Sequence, residues 1–257
     1  MADFLSKLVD DARKRVRDGY YDVKQQTPHK PTSLKRAIKS AERNAIIAEI
    51  KPVSPARGPL RPDIDPIRAA ERMEDGGAVA LSILTEPDNF AGSLENLRRV
   101  RERISLPLLM KDIIVNEKQI EAARSTGADS ILLIEPVFSK YPISSLARMI
   151  RYAHESHLEV LLEVHSEHEL KRALDSEADV VGINNRDLTT LKTDLETTIR
   201  LAKAAGNTQK AVISESGFES AEDIRRVKPT RVDGFLIGSS IMLATDVERK
   251  VREFVLA

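Results

Sequence analysis

The sequence predicts an α/β protein, a (β/α)8 TIM barrel with an N-terminal helical extension over residues 1–44, in a single domain spanning 1–257. Three observations carry that prediction. Short apolar runs and amphipathic helical patterns alternate eight times along the chain. Most of the apolar runs end in polar or charged residues on their C-terminal sides, the end where a barrel of this kind keeps its working groups. The length, 257 residues with no Pro/Gly/Ser-rich linker, composition shift or low-complexity tract, suits one such barrel. Alternation alone also admits an open doubly wound sheet.

The stretch from Phe4 to Arg17 sets Phe4, Leu5, Leu8, Val9 and Ala12 at helical spacing and predicts an amphipathic helix. Tyr20 to Pro31 reads as a loop, and Ser33 to Ser40 as a second short helix capped by Ser33 or Thr32. Both pieces precede the first strand, so they form an extension over one barrel end, either a packing cap or a gate to the site. The first strand, at about 46–51, is Ile46-Ile47-Ala48-Glu49-Ile50-Lys51. Its small and β-branched residues suit a buried strand. Side chains alternate across a strand, so 47, 49 and 51 share one face. With Ile46, Ala48 and Ile50 packed on helices, Glu49 and Lys51 point into the sheet's interior. Two buried charges are costly unless paired or wet, which marks this strand end as a working site or as a structural ion pair at a barrel mouth. Further strands are expected at about 78–84, 107–111, 129–134, 159–164, 179–183, 210–214 and 233–237. Helices are expected at about 65–76, 93–104, 116–126, 143–156, 167–175, 193–204, 219–226 and 246–255.

Composition narrows the function. Lys plus Arg equals Asp plus Glu at 40 each, so no overall field draws the molecule to nucleic acid or membrane. There is no cysteine, hence no disulfide framework, thiolate nucleophile or Cys-ligated metal. Met1 to Gly19 is highly charged and lacks the apolar core of a secretory signal, and no apolar run approaches a membrane span. A cytoplasmic enzyme is the expectation. His154/His157 and His165/His168 have the spacing of zinc ligands. The first pair, however, lies on a charged helix, and Ser166 to Glu169 reads as a capping box, so no metal is expected.

The strand ends supply the candidate site. The third strand ends in Lys111-Asp112, the fifth in Glu163, the sixth in Asn184-Asn185-Arg186, the seventh in Ser214-Glu215-Ser216-Gly217 and the eighth in Gly238-Ser239-Ser240. In a closed barrel these ends converge on one mouth. The two small-residue turns after strands seven and eight let backbone N–H groups approach an anion, at the usual phosphate position of this fold. Lys51 or Arg186 supplies the counter-charge. Lys51 and Lys111 are candidate acids or anion clamps, and Glu49, Glu163 and Glu215 candidate bases or partners of the lysines. Phe90, on the loop after strand two, and Leu132 and Ile134, on strand four, add an apolar wall. The sum is a pocket for a phosphorylated small molecule with a flat apolar part.

The motifs Glu49-Ile50-Lys51-Pro52-Val53-Ser54-Pro55, Leu81-Ser82-Ile83-Leu84-Thr85-Glu86-Pro87, Met110-Lys111-Asp112, Leu162-Glu163-Val164, Gly182-Ile183-Asn184-Asn185-Arg186-Asp187-Leu188, Ser214-Glu215-Ser216-Gly217 and Ile237-Gly238-Ser239 occur in order along essentially the whole chain. Together they resemble the indole-3-glycerol phosphate synthases of tryptophan biosynthesis. The resemblance implies a (β/α)8 barrel that closes the indole ring of 1-(2-carboxyphenylamino)-1-deoxyribulose 5-phosphate, with loss of carbon dioxide and water and no metal or organic cofactor. It implies Lys111 as general acid in ring closure, Lys51 as holder of the substrate carboxylate and a proton donor in dehydration, and Glu163 as base in dehydration. Glu49 would pair with the lysines and share in the base role. Asn184, Glu215 and Ser216 would meet the sugar hydroxyls. Ser54, Gly217, Gly238 and Ser239, with Lys51, would cradle phosphate, and Phe90, Leu132 and Ile134 would line the anthranilate pocket. The partner it implies is the phosphorylated substrate, and it leaves open a non-covalent association with other tryptophan-pathway enzymes.

The chain departs from the family pattern at Ile113, where a Phe is common, and at Ala56, where a serine is common. Two other readings are set against it. The neighbouring phosphoribosylanthranilate isomerases carry a catalytic cysteine, which this chain lacks. A non-catalytic sugar-phosphate binding module would keep the Gly-Ser turns without requiring Lys111 and Glu163 together.

Overall fold

Eight parallel strands close into a barrel in the computed structural model, which describes residues 4–257. The first three residues of the expected 1–44 extension lie outside the described residues. Helices α1 (Phe4–Arg17) and α2 (Leu34–Lys39) precede β1 (Ala45–Ile50). A small hairpin of β2 (Val53–Ser54) and β3 (Gly58–Pro59) follows. The other barrel strands are β4 (Ala80–Leu84), β5 (Leu108–Lys111), β6 (Ser130–Ile134), β7 (Glu159–Val164), β8 (Val180–Asn184), β9 (Ala211–Glu215) and β10 (Gly234–Ile237). β1 pairs with β10 on one side and β4 on the other, so the sheet has no edge and the open alternative is excluded.

The helices after β1 are α3 (Pro66–Asp75), α4 (Pro87–Phe90), α5 (Leu94–Arg101), α6 (Glu117–Thr126), α7 (Glu135–Lys140), α8 (Leu146–Glu155), α9 (Glu167–Asp175), α10 (Glu196–Ala205), α11 (Ala221–Val227), α12 (Ser239–Leu243) and α13 (Val247–Val255). Every expected helix is present, with ends moved by local hydrogen bonds. The helix expected over 143–156 starts at Leu146 because the Ser145 side chain accepts from Arg148 N. The one expected over 193–204 starts at Glu196 because Thr193 is bridged to Arg186. The structure adds the hairpin and the short helices α4, α7 and α12, all on the mouth side of the barrel. They are too short for a periodic signal, although Pro87 and Pro136 sit in the first turns of α4 and α7, where proline is favoured. Among the described residues no helix is long and apolar enough to cross a membrane.

Two cores follow from strand alternation. The outer faces of the strands, with Ile46, Ala48 and Ile50 among them, pack against the surrounding helices. The inner faces, with Ile47, Leu109, Leu132, Leu161 and Ile213, form a second cluster inside the barrel, and it continues into Leu5, Leu8, Val9 and Ala12 of α1 and Leu34 and Ile38 of α2. The N-terminal segment therefore closes the barrel at both ends. α2 plugs the end where the strands begin. Its cap Ser33 donates to Glu159, whose other oxygen accepts from Lys35 N at 2.8 Å. Thr32 N donates to buried Asp129 at 2.7 Å. α1 crosses the opposite end. Its Arg15 reaches Glu86 and Asp88 at 2.6 Å each, and Tyr21 donates to Asp112 at 3.1 Å.

Leu34 is fully buried in the inner core, so Leu34→Ala opens a cavity at the base of the barrel. A loss of about 2–5 kcal/mol is expected, read as a lower urea midpoint at unchanged m-value. A midpoint equal to that of the unmodified protein would mean that α2 is not part of the cooperative core.

Candidate active site

Alternation along the strands also builds the site. Glu49 stands one inward position above Ile47, Glu163 above Leu161, Glu215 above Ile213 and Lys111 above Leu109. The apolar layers thus end in a polar one at the mouth. Lys111 Nζ lies 2.7 Å from Glu215 Oε2 and 3.5 Å from Glu49 Oε1, and Lys51 Nζ lies 3.5 Å from Glu49 Oε2. Asn184 Nδ2 donates to Glu163 Oε1 at 2.9 Å, and its Oδ1 accepts from Arg186 N at 2.9 Å, which fixes the amide's orientation. Lys51 also stands 5.6 Å from the centre of the Phe90 ring.

Two glycines make room for these carboxylates. A Cβ on Gly182 would lie 2.0 Å from Glu215 Oε1, and one on Gly238 would lie 2.4 Å from Glu49 Oε2. Ser216, next to Glu215, holds a left-handed backbone at φ 68, a conformation that costs a non-glycine residue energy and is found most often at working sites.

Burial and neighbouring charges push these groups apart in proton affinity. For Lys111, burial opposes the charge, but Glu215, Glu49 and Glu163 outweigh it and raise the ammonium above its usual range. For Lys51, burial wins. Glu49 alone supports its charge against Lys111 and Arg186, and its affinity falls below the usual value. Burial works to raise Glu49, yet Lys51 and Lys111 together hold it below the usual carboxylate range. Glu163 is pushed up to about 7 by burial and by Glu215, against the pull of Lys111 and the Asn184 hydrogen bond.

These groups line one cavity with two characters. The apolar half, about 670 Å³, is walled by Phe4 and Leu8 of α1, Phe90 of α4, and Ile113, Leu132 and Ile134, with Glu163 and Asn184 at its floor. The polar half, about 810 Å³, is bounded by Arg57, Gly217, Gly238, Ser239 and Ser240. Glu49, Lys51, Lys111, Arg186 and Ser216 belong to both halves. The expected site residues all meet here except Glu215, which stands behind Lys111 as its partner. Ser54 lines the apolar half and not the polar half, where the Gly-Ser turns are. The residue nearby that faces the polar half is Arg57, which sequence reasoning missed, along with Gly182 and the Arg15 network. His154 and His165 are committed elsewhere, to Asp179 at 2.9 Å and to the Asn184 carbonyl at 2.7 Å.

The sequence profile described as indole-3-glycerol phosphate synthase matches residues 5–254. This chain belongs to the indole-3-glycerol phosphate synthase family. It is 40% identical to the indole-3-glycerol phosphate synthase of Haloarcula marismortui over 260 residues, covering 100% of this chain and 93% of that protein. It is 45% identical to that of Methanocaldococcus jannaschii, covering 87% and 83% respectively. The thiamine phosphate pyrophosphorylase from Pyrococcus furiosus superposes with a TM-score of 0.61 over 86% of this chain and 96% of that one, at 17% identity, which bears on the fold alone.

For a synthase of this family, the close approach of Gly182 to Glu215 becomes a test of the Lys111 partnership. Gly182→Ala displaces the Glu215 carboxylate and with it the Lys111 ammonium. Turnover is expected to fall by about 10²-fold, the size of effect that a 1 Å displacement of a reacting group produces. Wild-type turnover in a correctly folded Gly182→Ala protein would show that the Lys111–Glu215 geometry does not matter.

Proposed function

We propose that the chain converts 1-(2-carboxyphenylamino)-1-deoxyribulose 5-phosphate to indole-3-glycerol phosphate, carbon dioxide and water. The observation that carries this reading is one cavity with an apolar half and a cationic half, with Lys111 shared between them and Glu163 buried at the floor. The apolar half takes the aromatic ring against Phe90, Leu132 and Ile134, with Lys51 on its carboxylate. The polar half takes the phosphate, at Gly217, Gly238 and Ser239 with Arg186 and Lys51. Asn184 and Ser216 address the sugar hydroxyls, with Glu215 behind Lys111 as its partner. Binding at both ends folds the substrate so that the carboxylate-bearing ring carbon reaches the ribulose carbonyl, which accounts for much of the rate.

Ring closure forms a carbon–carbon bond and sends the carbonyl electron pair to oxygen, which takes a proton from Lys111. The raised affinity of Lys111 does not prevent this, because the forming alkoxide is a stronger base than an amine. Carbon dioxide then leaves, and its bonding pair restores the aromatic ring. In dehydration Lys51, the weaker base of the two lysines, gives a proton to the departing hydroxyl. Glu163, with Glu49 in support, removes a proton from the carbon beside nitrogen.

The same reading treats residues 1–44 as an extension of a single barrel domain over 1–257. It places the protein in the cytoplasm, where charged phosphorylated metabolites are retained. A non-covalent association with another enzyme of the pathway belongs to it too, and co-elution with that enzyme in size-exclusion chromatography tests it.

Mixing the purified protein with the carboxyphenylamino-deoxyribulose phosphate should produce indole fluorescence. Lys111→Ala is expected to lower kcat about 10²–10⁴-fold. A Lys111→Ala enzyme that raised only KM would refute the acid assignment, and phosphate binding without any turnover would favour the binding-module reading.

A base works only when ionised. Because the Glu163 carboxyl sits near 7, its ionised fraction, and with it dehydration, grows as pH rises through that value. The kcat profile should climb through about pH 7, and Glu163→Gln should abolish the limb while lowering kcat about 10²–10⁴-fold. If the same limb survived in Glu163→Gln, another group would be responsible for it.

A further inference from the structure

We propose that Arg57 selects the substrate's phosphate by exchanging its ion pair with Glu219 for the incoming dianion. The inference rests on the reading of the polar half as the phosphate site. Arg57 sits at the turn of the hairpin that follows β1. Its N–H donates to the Ser54 carbonyl at 3.1 Å, Val53 and Ser54 pair with Pro59 and Gly58, and Gly58 takes a left-handed φ of 72. That turn fixes where the side chain enters the polar half, which Arg57 lines together with Gly217, Gly238 and Ser239.

Its present partner is Glu219, two residues beyond Gly217 on the loop after β9. The Glu219 backbone is held by the Asp223 carboxylate, which accepts from Glu219 N and Ser220 N at 2.9 Å each. The Glu219 backbone is therefore fixed at the rim of the cavity, and Arg57 is the partner of its carboxylate. The pair itself is weak, because the Arg57 and Glu219 side chains keep 39% and 64% of their exposure and water screens them. Inside the cavity Glu49 and Glu215 are taken by Lys51 and Lys111, and Arg186 makes no ion pair among the described residues. Arg186 donates its guanidinium Nη1 to the Leu191 carbonyl, and burial together with the facing Arg57 holds Arg186 below its usual proton affinity. A phosphate lying between the two guanidiniums relieves that repulsion and accepts from both at once, whereas Glu219 pairs with Arg57. Glu219 is then a competitor for Arg57, released each time substrate binds.

Opposite signs follow for the two partners, and a double variant separates exchange from simple repulsion. The probe is inorganic phosphate, titrated by calorimetry, alongside KM and kcat for the sugar-phosphate substrate. Arg57→Gln is expected to weaken phosphate about tenfold or more, with the loss falling on KM rather than kcat. Glu219→Gln is expected to tighten phosphate about threefold. In the double variant the tightening should vanish, leaving the affinity of Arg57→Gln. Arg57→Lys, which keeps the charge without the fork, should fall between. Unfolding midpoints equal to wild type would confirm that each variant is folded, as expected for side chains on the rim. If Arg57→Gln bound phosphate as tightly as wild type, or if Glu219→Gln tightened it equally with Arg57 removed, the exchange would be refuted while the phosphate site stood. A wild-type protein that neither bound inorganic phosphate nor converted substrate would overturn both the exchange and the site assignment.

Discussion

Lys111 is an ammonium taken largely out of water, and it survives there because Glu215 lies at 2.7 Å and Glu49 at 3.5 Å. Removing an ion from water costs several kcal/mol even after relaxation, and only close, oriented partners offset it. Those partners bring penalties of their own. Glu215 needs the space that a side chain on residue 182 would fill, and Glu49 needs the space beside Gly238. Glu49 is shared with Lys51, so the two lysines are tied through one carboxylate. Ionising Glu163 adds a negative charge in a buried place already crowded by Glu215. That is the physical reason its carboxyl is pushed up to about 7 while Glu49, a few ångströms from two lysines, stays ionised.

A cluster of this kind has to be held, and α1 does part of the holding. Arg15 reaches Glu86 and Asp88, and Tyr21 and Thr85 donate to Asp112, the residue after Lys111. Glu86 in turn accepts from Asn89 N and Phe90 N at 2.7 and 3.0 Å, which caps α4 and aims Phe90 over Lys51. One buried arginine on the helix before the barrel thus orders the aromatic wall and braces the end of β5. Phe4 and Leu8 of the same helix close the apolar half, so α1 is part of the cavity wall and not only a cap.

The polar layer was legible in the sequence because strand alternation is a strict rule. Ile47 and Glu49, or Leu161 and Glu163, declare by their spacing that an apolar inner face turns polar at the strand end. The expected elements at Phe4–Arg17 and Glu167–Asp175 were legible for the same kind of reason, since periodicity and a capping box mark them directly. What escaped depends on how separate segments meet. The division of the cavity into halves is set by loops packing over the barrel, and Ser54 lies on the apolar side because the hairpin turns the chain before Arg57. Arg15 continues the apolar stripe of Leu5, Leu8 and Ala12, a charge on a buried face that signals a partner without naming it. Gly182 inside a strand signals a close approach, but nothing local says that Glu215 is what approaches.

The ordering of proton affinities also bears on the proton transfers proposed for this site. Decarboxylation turns a carboxylate into neutral carbon dioxide, so the whole conversion consumes one proton. In the proposed reaction ring closure takes it from Lys111, whose ammonium is held above its usual range by Glu215, Glu49 and Glu163 and so regains a proton readily from solvent. Glu163 serves as a base only in the fraction that is ionised, so the burial and the neighbouring Glu215 that push it up to about 7 make it a stronger base once ionised and leave less of it available below that pH. The raised affinities of Glu163 and Lys111 therefore have one origin, carboxylates crowded out of water around a single ammonium.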